Sequence, residues 1–267
     1  MSSLTRFFHT FGFAVLFCLA VLPLSSRAAE KSAIPAIAAA SDLRFALDDI
    51  SQKFTHDTGL KVKISYGSSG NFATQIQNGA PYELFLSADE KYIQQLHKAG
   101  VARDAGVLYA QGQLAIVAPK AGSLSLDPEL KGLAQALKAG EISRFAIANP
   151  DHAPYGERAK EALQSVQLWE AIQPKLILGE NVSQAGQFAI SGSTQGGIIA
   201  LSLAMSPQFA SHSRYAIVPA TMHSPLFQRM VLMVSAGDTA ERFYDYLQTD
   251  NARHILADYG FSLPEQP

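Results

Sequence analysis

Cysteine is almost missing from this chain. One occurs in 267 residues, Cys18, and it sits inside the apolar run Phe11 to Leu24. The bulky Phe17 precedes it where a lipid-attachment site needs a small residue, so lipidation is not expected. Residues 1–28 read as a secretory signal: Arg6 lies in a short basic region, and Ser26-Arg27-Ala28 places small residues at both recognition positions of a cleavage site. The apolar run is short for a membrane span. The exported remainder then holds no cysteine, which excludes disulfides, a thiolate nucleophile and Cys-ligated metal.

Basic residues are not in excess either. Setting aside residues 1–28 removes Arg6 and Arg27 from the 21 Lys and Arg and none of the 23 Asp and Glu, leaving a net charge of −4. With no Lys/Arg run in addition, no nucleic-acid partner is expected. The histidines lack i, i+4 pairing and the H-E-x-x-H spacing, so no side-chain metal ligands are expected. Gly192-Ser193-Thr194-Gln195-Gly196-Gly197 has Ile198 where a phosphate-binding P-loop needs Lys. Around Ser69 the G-x-S-x-G elbow of serine hydrolases is not met, because Gly70 follows the serine directly.

What is present is a strand, a serine and a helix start, twice. Ala33 to Ala40 reads as a buried strand ending at Ser41, and Leu43, Leu47, Ile50 and Phe54 then share one helical face. The alternating strand Lys61 to Ser65 runs into Gly67-Ser68-Ser69-Gly70 and a helix carrying Phe72, Ala73 and Ile76. Ser41 and either Ser68 or Ser69 suit the N-cap role. Helix starts carry unpaired N–H groups and partial positive charge, a ready anion site. In a right-handed β-α-β unit both starts emerge at the same sheet edge and can converge on one ligand.

The alternation continues. Glu83 to Leu86 reads as a strand and Ser87-Ala88-Asp89-Glu90 as a capping box. Gln113 to Ala118, Arg144 to Ala148, Lys175 to Leu178, Gly196 to Ser202, Arg214 to Val218 and Phe227 to Val234 are further strand candidates. Helices are expected from Asp127-Pro128 to Gly140, over Glu157 to Val166, from Glu180-Asn181-Val182, over Thr239 to Leu247, and over Asn251 to Asp258. Tyr155 and His152 fall in the Pro-rich turn Asn149 to Gly156. The pattern implies α/β architecture with mainly parallel sheet. In a two-lobed arrangement, Gln113–Ala118 and Phe227–Val234 are the strands expected to cross between lobes.

Ala38-Ala39-Ala40-Ser41, Gly67-Ser68-Ser69-Gly70, Gln75 to Pro81, Leu84-Phe85-Leu86-Ser87-Ala88-Asp89, Lys160 to Leu163, Glu180-Asn181-Val182, Phe243 to Leu247 and Tyr259-Gly260-Phe261 occur in order. With them the chain resembles the periplasmic molybdate-binding proteins of bacterial ABC importers, over about residues 33–262. The resemblance implies a two-lobed periplasmic-binding-protein fold of type II, each lobe a mainly parallel sheet flanked by helices, with hinge crossovers. Lobe I would comprise 29–115 plus 222–267, and lobe II 116–221. It further implies a non-enzymatic monomer in the periplasm that binds molybdate or tungstate without a cofactor and delivers it to an inner-membrane permease. By position, Ser41 and Ser69 would supply hydroxyl and N–H donors, Asp42 and Val182 their N–H groups, and Tyr155 its phenol. One branch of the family carries its ligand-contacting Tyr where this chain has Ala200; this chain follows the branch with Pro-Tyr-Gly at Tyr155. Two rivals stand beside this reading: a receptor for sulfate, phosphate or another tetrahedral anion, and a secreted hydrolase with Ser69 as nucleophile and His152 as base.

Overall fold

The computed structural model describes residues 34–264. The export signal expected at 1–28, with Cys18, lies outside them. β1 (Ala36–Ala40) passes through a 3-10 turn, Ser41–Leu43, into α1 (Arg44–Thr58). There follow β2 (Lys63–Gly67), α2 (Ser69–Gln77), β3 (Leu84–Ser87), α3 (Glu90–Lys98), β4 (Val107–Gly112) and β5 (Leu114–Pro119). The middle of the chain forms α4 (Lys131–Lys138), β6 (Phe145–Ala148), α5 (Pro154–Ser165), α6 (Trp169–Ile172), β7 (Leu176–Gly179), α7 (Val182–Ile190) and β8 (Gly197–Ala200). After α8 (Leu201–Met205), α9 (Pro207–Ala210) and β9 (Ser213–Ile217), the chain ends on β10 (Leu226–Leu232), α10 (Asp238–Tyr246) and α11 (Asp250–Asp258).

Two five-stranded sheets result, in the orders β2-β1-β3-β10-β4 and β7-β6-β8-β5-β9. Both follow one plan. The first three strands of each are parallel, and the last two are added antiparallel. With helices flanking both sheets, this is the two-lobed α/β fold that the motifs imply. The parallel character is thus confined to half of each sheet.

The strands expected to cross between sheets do not. β5 pairs with β8 and β9 in the second sheet, and β10 with β3 and β4 in the first. The chain crosses in short joints instead, at Gln113 and over 218–225. Gln113 leaves the β4 ladder to bond elsewhere: its carbonyl accepts from the Leu201 N–H at 2.9 Å, and its amide donates to the Gly260 carbonyl at 3.0 Å. A backbone group satisfied outside the ladder is what lets the strand direction change.

Packing follows the two-residue period of the strands. In the first sheet Ile37, Ala39, Leu84, Leu86 and Met230 join the core that holds Leu43, Leu47, Ile50 and Phe54 of the first turn and α1. Ala38, Phe85 and Val231 point the other way, into a cluster with Phe72, Ala73 and Ile76 of α2 and Ile93 and Leu96 of α3. Phe72 sets its ring edge-on to both Tyr82 and Phe85. Small residues in β1 suit a central strand sandwiched between helices on both faces.

Several local expectations give way to longer-range partners. The Ser87 capping box does not form: Asp89 caps α3 by accepting from Lys91 N–H at 2.9 Å, while Glu90 pairs with Arg229. Helix α4 begins at Lys131 rather than at Pro128, with Asp127 accepting from the Lys131 and Gly132 N–H groups. The apolar run Ile198 to Met205 divides into β8 and α8, because short apolar runs carry no decisive period. Phe85 is fully buried between α2, α3 and β10, whereas Leu178 is 47% exposed. Phe85→Ala is expected to cost about 3–5 kcal/mol in urea unfolding, and Leu178→Ser at most about 0.5 kcal/mol.

Candidate functional site

The register of the parallel strands places four helix starts around one space. Ala40 at the end of β1 lies opposite Gly67 at the end of β2, so the Ser41 turn and α2 begin side by side. In the second sheet Ala148 lies opposite Gly179, and α5 and α7 begin beside each other. Between these two pairs of starts lies a small cavity of about 10 Å³. Ser41, Asp42, Ser69, Tyr155 and Val182 all line it, together with Ser68 and the backbone of Gly67 and Ala88. No Lys or Arg does. Arg44, the first residue of α1, lies over the Tyr66 ring instead.

The serines do not cap their own helices. Ser41 Oγ accepts from the Ser183 N–H at 3.2 Å, at the start of α7. Ser68 occupies the N-cap position of α2, yet its hydroxyl bonds His152 Nδ1 at 3.0 Å; Ser69 Oγ accepts from Ala88 N–H at 3.0 Å. Each hydroxyl has been taken from a local role by an acceptor or donor on a distant element. By contrast Asn181 caps α7 in the ordinary way, accepting from Gln184 N–H at 3.1 Å.

Asp42 is the one carboxylate lining the cavity. Its Oδ2 accepts from Tyr155 Oη at 3.0 Å and from Gln228 Nε2 at 2.6 Å. Gln228 Nε2 also donates to Tyr155 Oη at 3.1 Å, and its Oε1 accepts from Tyr109 Oη at 2.7 Å. Asp42 Oδ1 is buried with no hydrogen-bond partner. Burial pushes the Asp42 carboxyl up to about 6, against the hydrogen bonds from Gln228 and Tyr155. Burial likewise holds the Tyr155 and Tyr109 phenols well above their usual range, with the Asp42 charge adding to it.

The two sheets are stitched together around this cavity. Besides Ser41 to Ser183 and Asp42 to Tyr155, Gly70 N–H donates to the His152 carbonyl at 3.0 Å. A Cβ at Gly70 would stand 2.6 Å from that oxygen, so only glycine lets α2 approach the turn ahead of α5. Glu180 faces His152 at 3.7 Å and accepts from Asn71 at the rim. Farther out Arg158 of α5 pairs with Asp89 at 2.9 Å and with Glu161 at 2.7 Å. Among the described residues no group of three or more His, Cys, Asp or Glu could hold a metal ion.

The sequence reading missed Gln228, Ser68 as the partner of His152, and Tyr109. A usable signal existed for Gln228: it shares its strand face with Leu226 and Met230, so a polar side chain stands at an inward position of β10. A register shift between Gln228 and Arg229 marks the same point. Such bulges commonly re-aim a side chain beside a site.

A cavity walled by hydroxyls, helix starts and one buried carboxyl, between two α/β sheets joined by two short crossings, defines the class of hinged solute-binding proteins. The chain belongs to the family of bacterial extracellular solute-binding proteins, whose model matches residues 36–262. Over 264 residues it is 33% identical to the molybdate-binding protein ModA of Azotobacter vinelandii, covering 98% of both chains. It is 34% identical over 244 residues to ModA of Rhodobacter capsulatus, covering 90% of this chain and 92% of that one. The solved Azotobacter vinelandii periplasmic molybdate-binding protein superposes with a TM-score of 0.79 at 29% identity, covering 86% of this chain and all of that one. Family membership makes this a binding protein and not an enzyme. The hydrolase reading is overturned accordingly, and the geometry gives the reason: His152 bonds Ser68, while Ser69 is held by Ala88 N–H.

The raised Asp42 pKa has a consequence for stability. The folded value of about 6 lies above the ordinary 3.8, so ionising Asp42 penalises the folded state. The penalty is absent below the ordinary value and complete above the folded one. Asp42→Asn is therefore expected to gain up to about 3 kcal/mol over the parent at pH 8 compared with its effect at acid pH. Urea unfolding of both proteins across pH measures the difference.

Proposed function

We propose that this protein is the periplasmic receptor of an ABC importer, capturing molybdate (and tungstate) between its two sheets and presenting it to a membrane permease. The observation that carries the reading is the meeting of four helix starts on one small cavity lined by hydroxyls and free of Lys and Arg. The two relatives named as molybdate-binding proteins support the choice of anion. In this reading Ser41 and Ser69 present hydroxyl and N–H donors, Asp42 and Val182 present N–H groups, and Tyr155 turns its phenol to the anion. The moving halves follow the expected division, residues 29–115 with 222–267 and 116–221, with its first boundary drawn back to Gln113 because β5 pairs in the second sheet, and the hinges lie at Gln113 and over 218–225. The receptor works as a monomer.

The physics suits a tetrahedral dianion. Neutral donors aimed at its four oxygens form charge-assisted hydrogen bonds of about 1.5–3 kcal/mol each. Partly buried helix ends add up to about 2 kcal/mol apiece. No bond from protein to metal is needed. Closing the cleft removes water and strengthens every one of these contacts. Selection against sulfate rests on size, because a rigid cavity shaped for longer metal–oxygen bonds leaves a smaller anion short of donors.

Isothermal titration with molybdate, tungstate, sulfate and phosphate tests the reading. Sub-micromolar binding of the first two (about −8 kcal/mol or better), with little heat from the others, is expected. Equal affinity for sulfate would remove the size argument, and silence toward all four would remove the function. Ser69→Ala and Tyr155→Phe are each expected to weaken binding by about 1–3 kcal/mol with circular dichroism unchanged. An unchanged affinity for Tyr155→Phe would take the phenol out of the site.

A further inference from the structure

One atom in the cavity wall has nothing to bond with. Asp42 is 1% exposed and lines the cavity, and its Oδ1 has no hydrogen-bond partner. The surrounding network explains why, because none of its protons is directed at this oxygen. Tyr109 Oη donates to Gln228 Oε1, which turns the Gln228 amide so that its NH2 faces Asp42 Oδ2 and Tyr155 Oη. With the anion absent Tyr155 directs its single proton at Oδ2 as well; once that phenol turns to the anion, Gln228 still donates to Oδ2. Two donors therefore converge on Oδ2, as they would on the carbonyl oxygen of a carboxylic acid, and none remains for Oδ1.

The ligand proposed above is also unable to help an ionised Oδ1. A dianion offers acceptor oxygens only, and a second negative charge beside it in a water-poor cavity is repelled strongly. A proton on Oδ1 removes both difficulties: it neutralises the carboxyl and converts the orphaned oxygen into a donor. We propose that Asp42 enters the ligand complex as the neutral acid, with the proton on Oδ1 donated to an oxygen of the bound oxyanion, so that capture takes up a proton. This rests on the oxyanion-receptor reading and adds a specific contact to it. The step balances: carboxylate, one solvent proton and the dianion become a neutral acid hydrogen-bonded to the same dianion, with no bond to metal formed or broken.

The groups that face Asp42 leave it as the titrating one. From α5 comes Tyr155 and from β10 the uncharged Gln228, backed on β4 by Tyr109; both phenols are held well above their usual range by burial. From α8 Ser202 donates to the Asp42 carbonyl at 2.8 Å. The start of α7 brings Ser183, bonded to Ser41, and the start of α2 brings Ser68 and Ser69, all uncharged. His152 and Glu180 stand at the rim beyond Ser68. With the anion absent the Asp42 carboxyl titrates at about 6, and the anion raises it further. Above that value binding must recruit a proton, and below it the proton is already in place.

Calorimetry with sodium molybdate at pH 8, in two buffers of different ionisation enthalpy, counts the protons. The parent protein is expected to take up close to one, and its Kd to rise about tenfold per pH unit between about pH 7 and about pH 8.5. Asp42→Asn, whose amide donates without titrating, is expected to take up none and to show the same Kd across that range. His152→Gln is expected to keep the slope. Tight binding by the parent with no proton uptake and a flat pH profile overturns the proposal while leaving the receptor function standing. A slope that vanishes in His152→Gln but survives in Asp42→Asn overturns it too. Failure to bind any of the four oxyanions at any pH overturns the function and this contact together. The proton count on the parent needs no variant, so a misfolded Asp42→Asn would not rescue the idea.

Discussion

The first N–H groups of an α-helix have no acceptor in their own helix, and here three α-helices and the 3-10 turn at Ser41 begin against one small space. Everything else about the site follows from how those starts are held. Parallel strands in matched register, β1 with β2 and β6 with β7, end at the same sheet edge and release their helices side by side. The donors therefore belong to the rigid scaffold and not to free loops, which keeps their directions fixed. An anion placed there meets dipoles instead of fixed cations. That suits a carrier that has to let its cargo go, since no buried Lys or Arg is left unpaired on release.

The polar groups that line the cavity also take part in holding the two halves together. Ser41 reaches from the first sheet to α7, Asp42 to Tyr155 and Ser68 to His152, so these three side chains at the cavity also tie the halves together, while Ser69 bonds Ala88 within the first half. Away from the cavity the tie is ionic: Arg158 is 8% exposed and pairs with Asp89, itself 7% exposed, while Glu161 accepts from the Ser224 N–H in the returning joint. Removing one member of such a buried pair leaves a stranded charge, a heavier loss than the pair is worth when intact. The rim bonds are cheaper to break. Opening the cleft thus exchanges neutral hydrogen bonds for water near the ligand and charged ones near the hinge.

How much of this could be read in advance depends on the range of the interaction. The strand–serine–helix junctions at Ser41 and Ser69 were readable because strand period, serine and helical period lie within a few residues of one another. Their convergence was readable too, since the handedness of β-α-β units leaves little choice. The roles of those serines were not. Capping rules weigh only neighbours in sequence, whereas Ser41 found its partner 142 residues away and Ser68 found His152 84 residues away. Ser87 failed as a cap for a related reason, with Asp89 two residues on better placed to accept from Lys91. Gln228 was hidden more deeply, because an inward polar residue in a strand reads as noise until Asp42, 186 residues earlier, is seen facing it.

The amino-acid sequence by itself determined the order of most strands and helices, β4 and the short α6, α8 and α9 excepted, the pairing of helix starts within the first sheet, and the scarcity of cysteine and of cationic clusters that narrows the chemistry. These are set by local periodicity and composition, which act over a few residues and survive any rearrangement of the parts. Only the tertiary structure decided which hydroxyl bonds which helix, where the chain crosses between sheets, and that Asp42 stands buried with one oxygen doubly bonded and the other bare. Burial and distance between remote elements are properties of the packed whole. They set the charge state of that carboxyl, and no window of sequence contains them.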